Sequence, residues 1–423
     1  MRAKLRLSAL LLVVLLPLAA VAGPLPSAPP ESVGLSPERL QRITDKLNER
    51  IAKGDIPGAV LLIARQGKVA YFEAMGSLDP EKKTPMTKGG IFRIYSMTKP
   101  ITTAMAMMLF EQGQLALSDP VAKYIPAFND LKVGKEKKEA DGTTTLELVA
   151  AERPMTVHDL MRHSSGLTYG FFGATPVKKA YLEADLYRGE FTNAEFVDRL
   201  AKLPLAFQPG TTWDYGHSTD VLGRIVEVIS GKSLYAYMKE QLLDPLGMTD
   251  TMFHVANDPA RQARLAEPFA NDRGIGGGIS FSDPRLAVKD ELGGQGMVGT
   301  AMDYAVFANM LLNGGTAEGK RYLGPKTVGY MASDHMGDVV RRGPFDLMGA
   351  GYKFGLGFAV RTESGVAPIA GSLGDYYWGG AGGTYFWIDP KEKMVVVYMM
   401  QSPSKRVAYR ALLRDMVYAA IVE

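Results

Sequence analysis

The 423-residue sequence contains no cysteine. Disulfide bonds, thiolate nucleophiles and cysteine-based zinc sites are therefore excluded. Histidine is scarce as well. The five histidines include no H-E-x-x-H motif, and none has a carboxylate companion at the spacing that metal ligands require. We therefore expect neither a metal nor a cofactor.

The chain also lacks a strong excess of charge, with a formal net charge of +3. Three basic residues, Arg2, Lys4 and Arg6, precede an apolar run at 7–16, and a small-x-small cleavage site ends at Ala22. This order predicts a signal peptide over residues 1–22 and export to a periplasm or out of the cell. A retained membrane anchor is the alternative.

Cleavage after Ala22 would remove three positive charges and no negative ones, which leaves a chain with no net charge. Nothing basic then remains to attract nucleic acid, so we expect no nucleic-acid partner. Contact with the membrane is expected only transiently, through the signal peptide. The absence of cysteine after the apolar run also excludes a bacterial lipoprotein anchor.

The hydropathy pattern predicts an α+β protein in which the sheet-forming segments lie at the two ends of the chain. A Pro-rich linker at 23–34 leads into a helix that Ser36 caps and Pro37 begins. The terminal segments, 35–114 and 336–423, carry predicted strands at 58–64, 68–73, 356–361, 384–389 and 393–400 and predicted helices at 97–112 and 406–421.

The middle of the chain, 115–335, is predicted to form a mainly helical domain inserted between those two segments. Its clearest helical patterns lie at 156–162, 193–202, 219–230, 234–243 and 301–312. The polar and charged stretch 132–147 is predicted to be a surface loop.

Ser96 and Lys99 form an S-x-x-K motif near the predicted start of a helix. Residues three apart share a helix face, so the amine could take the proton of the hydroxyl and make it a nucleophile. The spacing alone favours a capping serine and a solvated lysine. The sequence has no G-x-S-x-G motif, which excludes the nucleophile elbow of α/β-hydrolases.

Further segments follow this motif in a characteristic order. They are the residues at 155–167, Pro209-Gly210, Tyr215-Gly216-His217, Leu222-Gly223, 245–248, 293–296 and 313–315. Together with Ser96 and Lys99, this order resembles the serine β-lactamase and penicillin-binding-protein superfamily over about residues 35–420, in particular its class C-like branch and the family VIII carboxylesterases. The resemblance implies an antiparallel sheet with flanking helices, and a catalytic site where the helical insertion meets it.

The resemblance assigns Tyr215 to the tyrosine of the superfamily's Y-x-N motif, which shares protons with the lysine. The alternative is a core tyrosine. His217 stands where the superfamily has an asparagine that helps to hold a substrate amide, and the resemblance places His217 among the substrate-binding residues. His163 directly precedes Ser164 and Ser165, but the resemblance places it in a structural loop.

The segment Trp378-Gly379-Gly380-Ala381 matches the edge strand that faces the serine in the superfamily. The resemblance implies that the backbone N–H groups of Ser96 and Ala381 form an oxyanion hole and that Trp378, Gly379 and Gly380 line the substrate site. Trp378 replaces a cation that would receive a substrate carboxylate. It could instead be a structural aromatic plug, which would still be compatible with esterase activity.

The residues therefore predict a serine hydrolase that acts on a small-molecule carboxylic ester through an acyl-enzyme. A β-lactamase or D-amino-acid peptidase is the first alternative, and it would need a cation such as Arg321, Arg341 or Arg342 at the site. A non-catalytic penicillin-binding-like module is the second alternative.

Overall fold

A computed structural model describes residues 23–186, 191–276, 279–338 and 340–423. The predicted signal peptide, residues 1–22, lies outside the described residues. Within the described part of the chain, no helix combines the length and the apolar character needed to cross a membrane.

The helices of the described residues are α1 Pro37–Ala52, α2 Thr98–Glu111, α3 Val157–Met161, α4 Pro176–Glu183, α5 Asn193–Leu200, α6 Ser218–Ser230, α7 Leu234–Met238, α8 Pro259–Gln262, α9 Ala301–Leu312, α10 Pro325–Met331 and α11 Arg406–Ala419. A π-helical turn, Lys239–Leu243, continues α7. The cap predicted for the first helix is present, since the backbone N–H of Arg39 donates to Ser36 Oγ over 3.3 Å.

The strands are β1 Gly58–Arg65, β2 Lys68–Asp79, β3 Thr84–Pro85, β4 Phe92–Arg93, β5 Lys132–Lys138, β6 Thr144–Ala150, β7 Thr212–Trp213, β8 Gly274–Gly276, β9 Ile279–Ser280, β10 Val298–Gly299, β11 Thr316–Ala317, β12 Lys320–Arg321, β13 Arg341–Arg342, β14 Tyr352–Phe354, β15 Ala359–Arg361, β16 Tyr376–Gly379, β17 Tyr385–Asp389 and β18 Met394–Met400. Eight of them form one antiparallel sheet in the order β14-β15-β16-β17-β18-β1-β2-β3.

The two ends of the chain meet at the centre of this sheet, where β18 pairs with β1 along Ala59–Arg65. Both strands are continuous apolar runs because both of their faces are covered. This arrangement confirms the predicted α+β fold with a sheet built from both termini.

Alternate side chains of the sheet enter two different cores. On one face, Leu61 and Val396 pack with residues of α1 and α11, including Leu40 and Leu413. On the other face, Leu62 and its neighbours pack in the larger core that includes α2, α6 and α9. The period of two along each strand thus assigns each side chain to one layer of helices.

The Pro-rich segment 23–34 is not a free linker, which corrects the prediction. The backbone N–H of Val69 donates to Pro26 O, and that of Ala28 donates to Val69 O. The 3₁₀ turn Pro30–Val33 follows, and Val33 is buried in the α1 core. Proline cannot donate along a ladder, but it does not prevent a short edge pairing of this kind.

Two further predictions of local structure are wrong. Residues 132–147 form most of the antiparallel hairpin β5–β6, whose charged side chains face solvent, rather than a loop. Of the predicted strand 356–361, residues 356–358 form a bend and only Ala359–Arg361 form a strand, β15. Gly357 lies at φ +90°, where a Cβ would come within 2.7 Å of Thr103 Oγ1. That close approach to α2 requires glycine, and the strand begins only after it, at Ala359.

The amino end of α2 lies at the meeting point of the sheet and the helical insertion. α2 packs against α6 on one side, and the 3₁₀ turn before it, Tyr95–Met97, contacts β16 of the sheet. α9 packs against β1, β17 and β18, so this helix belongs with the sheet although it lies between residues 115 and 335.

Candidate active site

Ser96 lies in a turn whose backbone is strained. The preceding Tyr95 has φ +43°, a left-handed conformation that is unfavourable for an aromatic residue. Its ring packs edge-on against Phe281, and its hydroxyl accepts the N–H of Ser282 over 3.2 Å. These contacts hold the turn in place and leave Ser96 half-buried, while the residues on both sides of it are buried.

Lys99 has no exposed surface, and its Nζ lies 3.3 Å from Ser96 Oγ. Helix α2 begins at Thr98, so Pro100 occupies a first-turn position where no backbone hydrogen bond is lost. The Lys99 amine donates to Gly294 O over 2.6 Å and to the hydroxyl of Tyr169 over 3.1 Å. Within the described residues it has no carboxylate at ion-pair distance.

Tyr215 follows the short strand β7 and lies directly beside this amine. Lys99 Nζ is 4.5 Å from the centroid of the Tyr215 ring, and the ring is 5% exposed. The indole Nε1 of Trp378 donates to the Tyr215 hydroxyl oxygen over 2.9 Å. The structure therefore brings Ser96, Lys99, Tyr215 and Trp378 together, although they are far apart in sequence.

The position of Trp378 differs from the substrate-lining role predicted for it. Its side chain is 4% exposed, and its one polar atom is directed at Tyr215. An indole N–H is a donor only, so it stabilises negative charge on the phenolic oxygen. The polar atom of this residue, which stands in place of a cation, thus contacts the candidate base.

Tyr169 is a site residue that the sequence reasoning missed. Its hydroxyl contacts Lys99, and its backbone N–H donates to Tyr215 O over 3.3 Å. The signal was available, because Tyr169 comes two residues after the matched segment that ends at Leu167. Spacing could not assign it, since the contact with Lys99 joins two distant parts of the chain.

His217 is fully buried, which corrects its predicted role as a residue that contacts substrate. Its Nδ1 lies 2.8 Å from Asp220 Oδ2, one helical turn ahead on α6. The ring packs edge-on against Tyr169, with centroids 4.6 Å apart. His217 therefore contacts the side chains behind the site and has no exposed surface in this structure.

The glycine-rich segment at the end of β16 approaches the nucleophile turn closely. A Cβ on Gly380 would lie 2.5 Å from Ile94 O, so only glycine permits this approach. The N–H of Gly380 donates to Thr384 O over 2.8 Å, which closes a turn around the half-buried Ala381. The predicted donors, the backbone N–H groups of Ser96 and Ala381, thus belong to two adjoining segments.

β16 is not an edge strand of the sheet, contrary to expectation, because β15 and β14 add to its outer side. The pairing with β15 ends at Tyr377, however. Trp378 and Gly379 extend beyond it, and the strand has a free edge only there. The other face of Gly379 is filled by the guanidinium of Arg410, whose Nη2 donates to Gly380 O over 2.9 Å.

His163 supports Tyr215 from within the helical part. The two ring centroids are 4.8 Å apart, and His163 Nε2 is 3.5 Å from Thr219 Oγ1. Burial, with a further contribution from the charge of Lys99, holds the pKa of His163 well below its usual value. His163 is therefore a neutral packing group, in agreement with the structural-loop interpretation.

Aromatic side chains extend from the site toward solvent. We call this the aromatic wall, and it consists of Tyr169, Phe171, Phe172 and Phe345. Phe171 stacks on Tyr169 at 4.9 Å, and Phe172 lies 5.9 Å from Phe345 and 6.2 Å from Tyr215. Phe345 is 37% exposed. The aromatic wall thus connects the buried ring of Tyr215 with the exposed ring of Phe345.

The three arginines that the lactamase alternative would need to bind a substrate carboxylate lie in two different parts of the structure. Arg341 and Arg342 form β13, which runs parallel to β7 just before Tyr215, and Arg342 is held by Asp346 and Tyr352 O. Arg321 is exposed in the β11–β12 hairpin that follows α9. No group of three or more potential metal ligands occurs among the described residues.

Comparison with known proteins identifies the family of the chain. The profile of the Beta-lactamase family matches residues 41–419, and the chain belongs to that family. Protein Rv1367c of Mycobacterium tuberculosis (strain ATCC 25618 / H37Rv) is 34% identical over 82% of this chain and 86% of its own length. Esterase EstB of Burkholderia gladioli is 29% identical over 89% of this chain and 95% of its own.

A solved structure is also similar. EstCE1, described as a hydrolase with promiscuous acyltransferase activity, superimposes with a TM-score of 0.73 at 27% identity. The match covers 90% of this chain and 99% of that one. The similarity therefore extends over both the sheet and the helical insertion.

Proposed function

We propose that this protein is a serine carboxylesterase that forms an acyl-enzyme on Ser96. The observation that carries the proposal is the 3.3 Å contact between Lys99 Nζ and Ser96 Oγ, in a setting where the amine is fully buried and has neutral oxygens as its polar contacts. The amine is thus held within reach of the serine hydroxyl, where it can take the proton as Ser96 attacks.

The chemistry runs in two halves. Ser96 Oγ attacks the ester carbonyl carbon, its proton passes to the Lys99–Tyr215 pair, and the alcohol leaves with that proton. Water then attacks the acyl-enzyme, gives a proton to the same pair and releases the acid and the free serine. The hydrogen bond from Trp378 to Tyr215 supports this assignment, because a donor to the phenolic oxygen stabilises the phenolate form of Tyr215.

The negative charge on the carbonyl oxygen during both attacks requires fixed donors. We propose that the backbone N–H groups of Ser96 and Ala381 supply them. The close approach of Gly380 to Ile94 supports this, since it brings the turn that carries Ala381 against the turn that carries Ser96. Backbone donors held by such packing do not need to reorganise during reaction.

The proposed substrate is a neutral ester with a short or aromatic acyl part. The aromatic wall supports an apolar substrate, and Trp378 leaves the usual place of a carboxylate-binding cation without charge. The names of EstB, an esterase, and of EstCE1, a hydrolase, support the same class. We further propose that the protein works after export, as the basic and apolar order of residues 1–22 suggests.

Parallel assays with a p-nitrophenyl ester series and with nitrocefin test the substrate class. We expect ester turnover to exceed lactam turnover, and Ser96→Ala to lose it. Lactam turnover far above ester turnover would favour the β-lactamase or peptidase alternative. A folded wild-type protein without turnover of either substrate would favour the binding module.

A further inference from the structure

Asp220 is a buried carboxylate in the first turn of α6. It is 2% exposed, and both of its oxygens have partners. Oδ2 lies 2.8 Å from Nδ1 of His217, and Oδ1 accepts the backbone N–H of Gly294 over 2.7 Å. A charged acceptor makes the second of these a strong hydrogen bond.

Gly294 connects this carboxylate to the candidate base. Its carbonyl oxygen accepts from Lys99 Nζ over 2.6 Å, the shortest of the polar contacts that Lys99 makes among the described residues. A Cβ on Gly294 would lie 2.6 Å from Asp220 Oδ1, so the close approach requires glycine at this position. The preceding carbonyl, Gly293 O, accepts from Thr102 Oγ1 of α2 over 2.7 Å.

His217 in turn has little freedom to release the carboxylate. Its ring packs against Tyr169 at 4.6 Å, Phe196 at 5.3 Å and Tyr181 at 6.2 Å. The chain of contacts from His217 through Asp220 and Gly294 to Lys99 is therefore continuous and buried throughout.

We propose that Asp220, oriented by His217, is a positioning residue for the reaction. It fixes the Gly294 peptide whose carbonyl holds the Lys99 amine beside Ser96. The inference rests on the proposed function of Ser96 and Lys99. It also gives His217 a role as the residue that orients Asp220, at the position where the superfamily has an asparagine that contacts substrate.

Asp220→Asn tests this inference, because asparagine keeps the acceptor for Gly294 N–H and removes the charge. We expect kcat for p-nitrophenyl acetate to fall by about tenfold or more while KM changes by less than about twofold.

Glu227→Gln is the matched control. Glu227 lies on the same helix, is 9% exposed and bonds Asn193 and Arg224, away from Lys99. This variant should keep the kcat and the KM of the wild type. Asp220→Asn with wild-type kcat, or with KM raised as much as kcat falls, would overturn the inference.

Gly294→Ala covers the case in which Asp220→Asn does not fold, as judged by circular dichroism. The added Cβ should push the carboxylate and the loop apart, so kcat should again fall by about tenfold with little change in KM, and wild-type kcat would overturn the inference. The proposed function fails separately, if wild-type protein has no esterase activity or if Ser96→Ala retains it.

Discussion

The indole of Trp378 donates a 2.9 Å hydrogen bond to the hydroxyl oxygen of Tyr215. The two residues come from the sheet and from the helical insertion, so this bond spans the boundary between the two parts of the molecule. It places a fixed donor on the atom proposed to hold and release protons. A structural aromatic plug would fill the same space without needing that donor.

Trp378→Phe separates the two interpretations. Phenylalanine keeps most of the packing and removes the N–H, so we expect kcat to fall by about tenfold to a hundredfold with little change in KM. Trp387→Phe is the control, because Trp387 is buried on β17 and its Nε1 has no hydrogen-bond partner among the described residues. Equal activity of the two variants in steady-state assays would support the plug.

The aromatic wall should determine which acyl groups bind. Phe172→Ala removes the ring between Tyr215 and Phe345, so KM for p-nitrophenyl phenylacetate should rise by about tenfold, since burying an aromatic group contributes about 1–2 kcal/mol. KM for p-nitrophenyl acetate should change little. Tyr330→Ala removes an exposed ring that packs on His335 and is the control.

An equal rise in KM for both esters would show that Phe172 contacts the leaving group or maintains the fold. Thermal denaturation of the variant distinguishes these two outcomes. In either case the proposed preference for aromatic acyl groups would be wrong.

Asp290 should make the protein less stable at high pH. Burial raises its pKa to about 7 from 3.8, and the charge of Asp220 adds to the rise. Between these values the folded state holds a proton that the unfolded state does not, so this residue lowers the stability as the pH rises from about 4 to 7.

Asp290→Asn removes this titration. Its melting temperature relative to wild type should therefore rise from pH 4 to pH 7 and stay constant above it. Asp198→Asn changes an exposed carboxylate on α5 and should give no such trend. A melting temperature of Asp290→Asn that falls below wild type at pH 8 would contradict the assignment.

Asp159 has the opposite effect on the pH dependence. It is fully buried, and although burial opposes ionisation, hydrogen bonds from Arg153 and Thr156 lower its pKa to about 2. Its pKa in the folded protein lies below the unfolded value of 3.8. The ionised carboxylate therefore contributes to the free energy of unfolding above pH 4, and this contribution is lost as the pH falls toward 2.

Asp159→Asn should therefore lower the free energy of unfolding at pH 7 by about 2 kcal/mol, as urea denaturation would measure. The difference from wild type should shrink below pH 4. A difference that is independent of pH would show that the carboxylate acts only as a hydrogen-bond acceptor.

The parts of the site that follow one another in the chain were predictable. Ser96 and Lys99 are one helical turn apart, and the apolar runs of β1 and β18 indicated a buried sheet. The contacts of Trp378 with Tyr215 and of Gly294 with Lys99 join distant segments, and no local pattern specifies such pairs. His217 and Asp220 were within reach of sequence reasoning, since they are three residues apart at the start of a helix.

The central claim is that Ser96 is the nucleophile, and fluorophosphonate labelling followed by peptide mapping tests it most directly. Trypsin does not cleave between Lys99 and Pro100, so Ser96 lies in the tryptic peptide 94–123. That peptide also contains Ser118, and fragmentation in the mass spectrometer shows which of the two serines carries the label. We predict one adduct, on Ser96, that is absent from Ser96→Ala and that abolishes ester hydrolysis in proportion to labelling. Folded protein that hydrolyses esters while Ser96 stays unmodified would contradict the account.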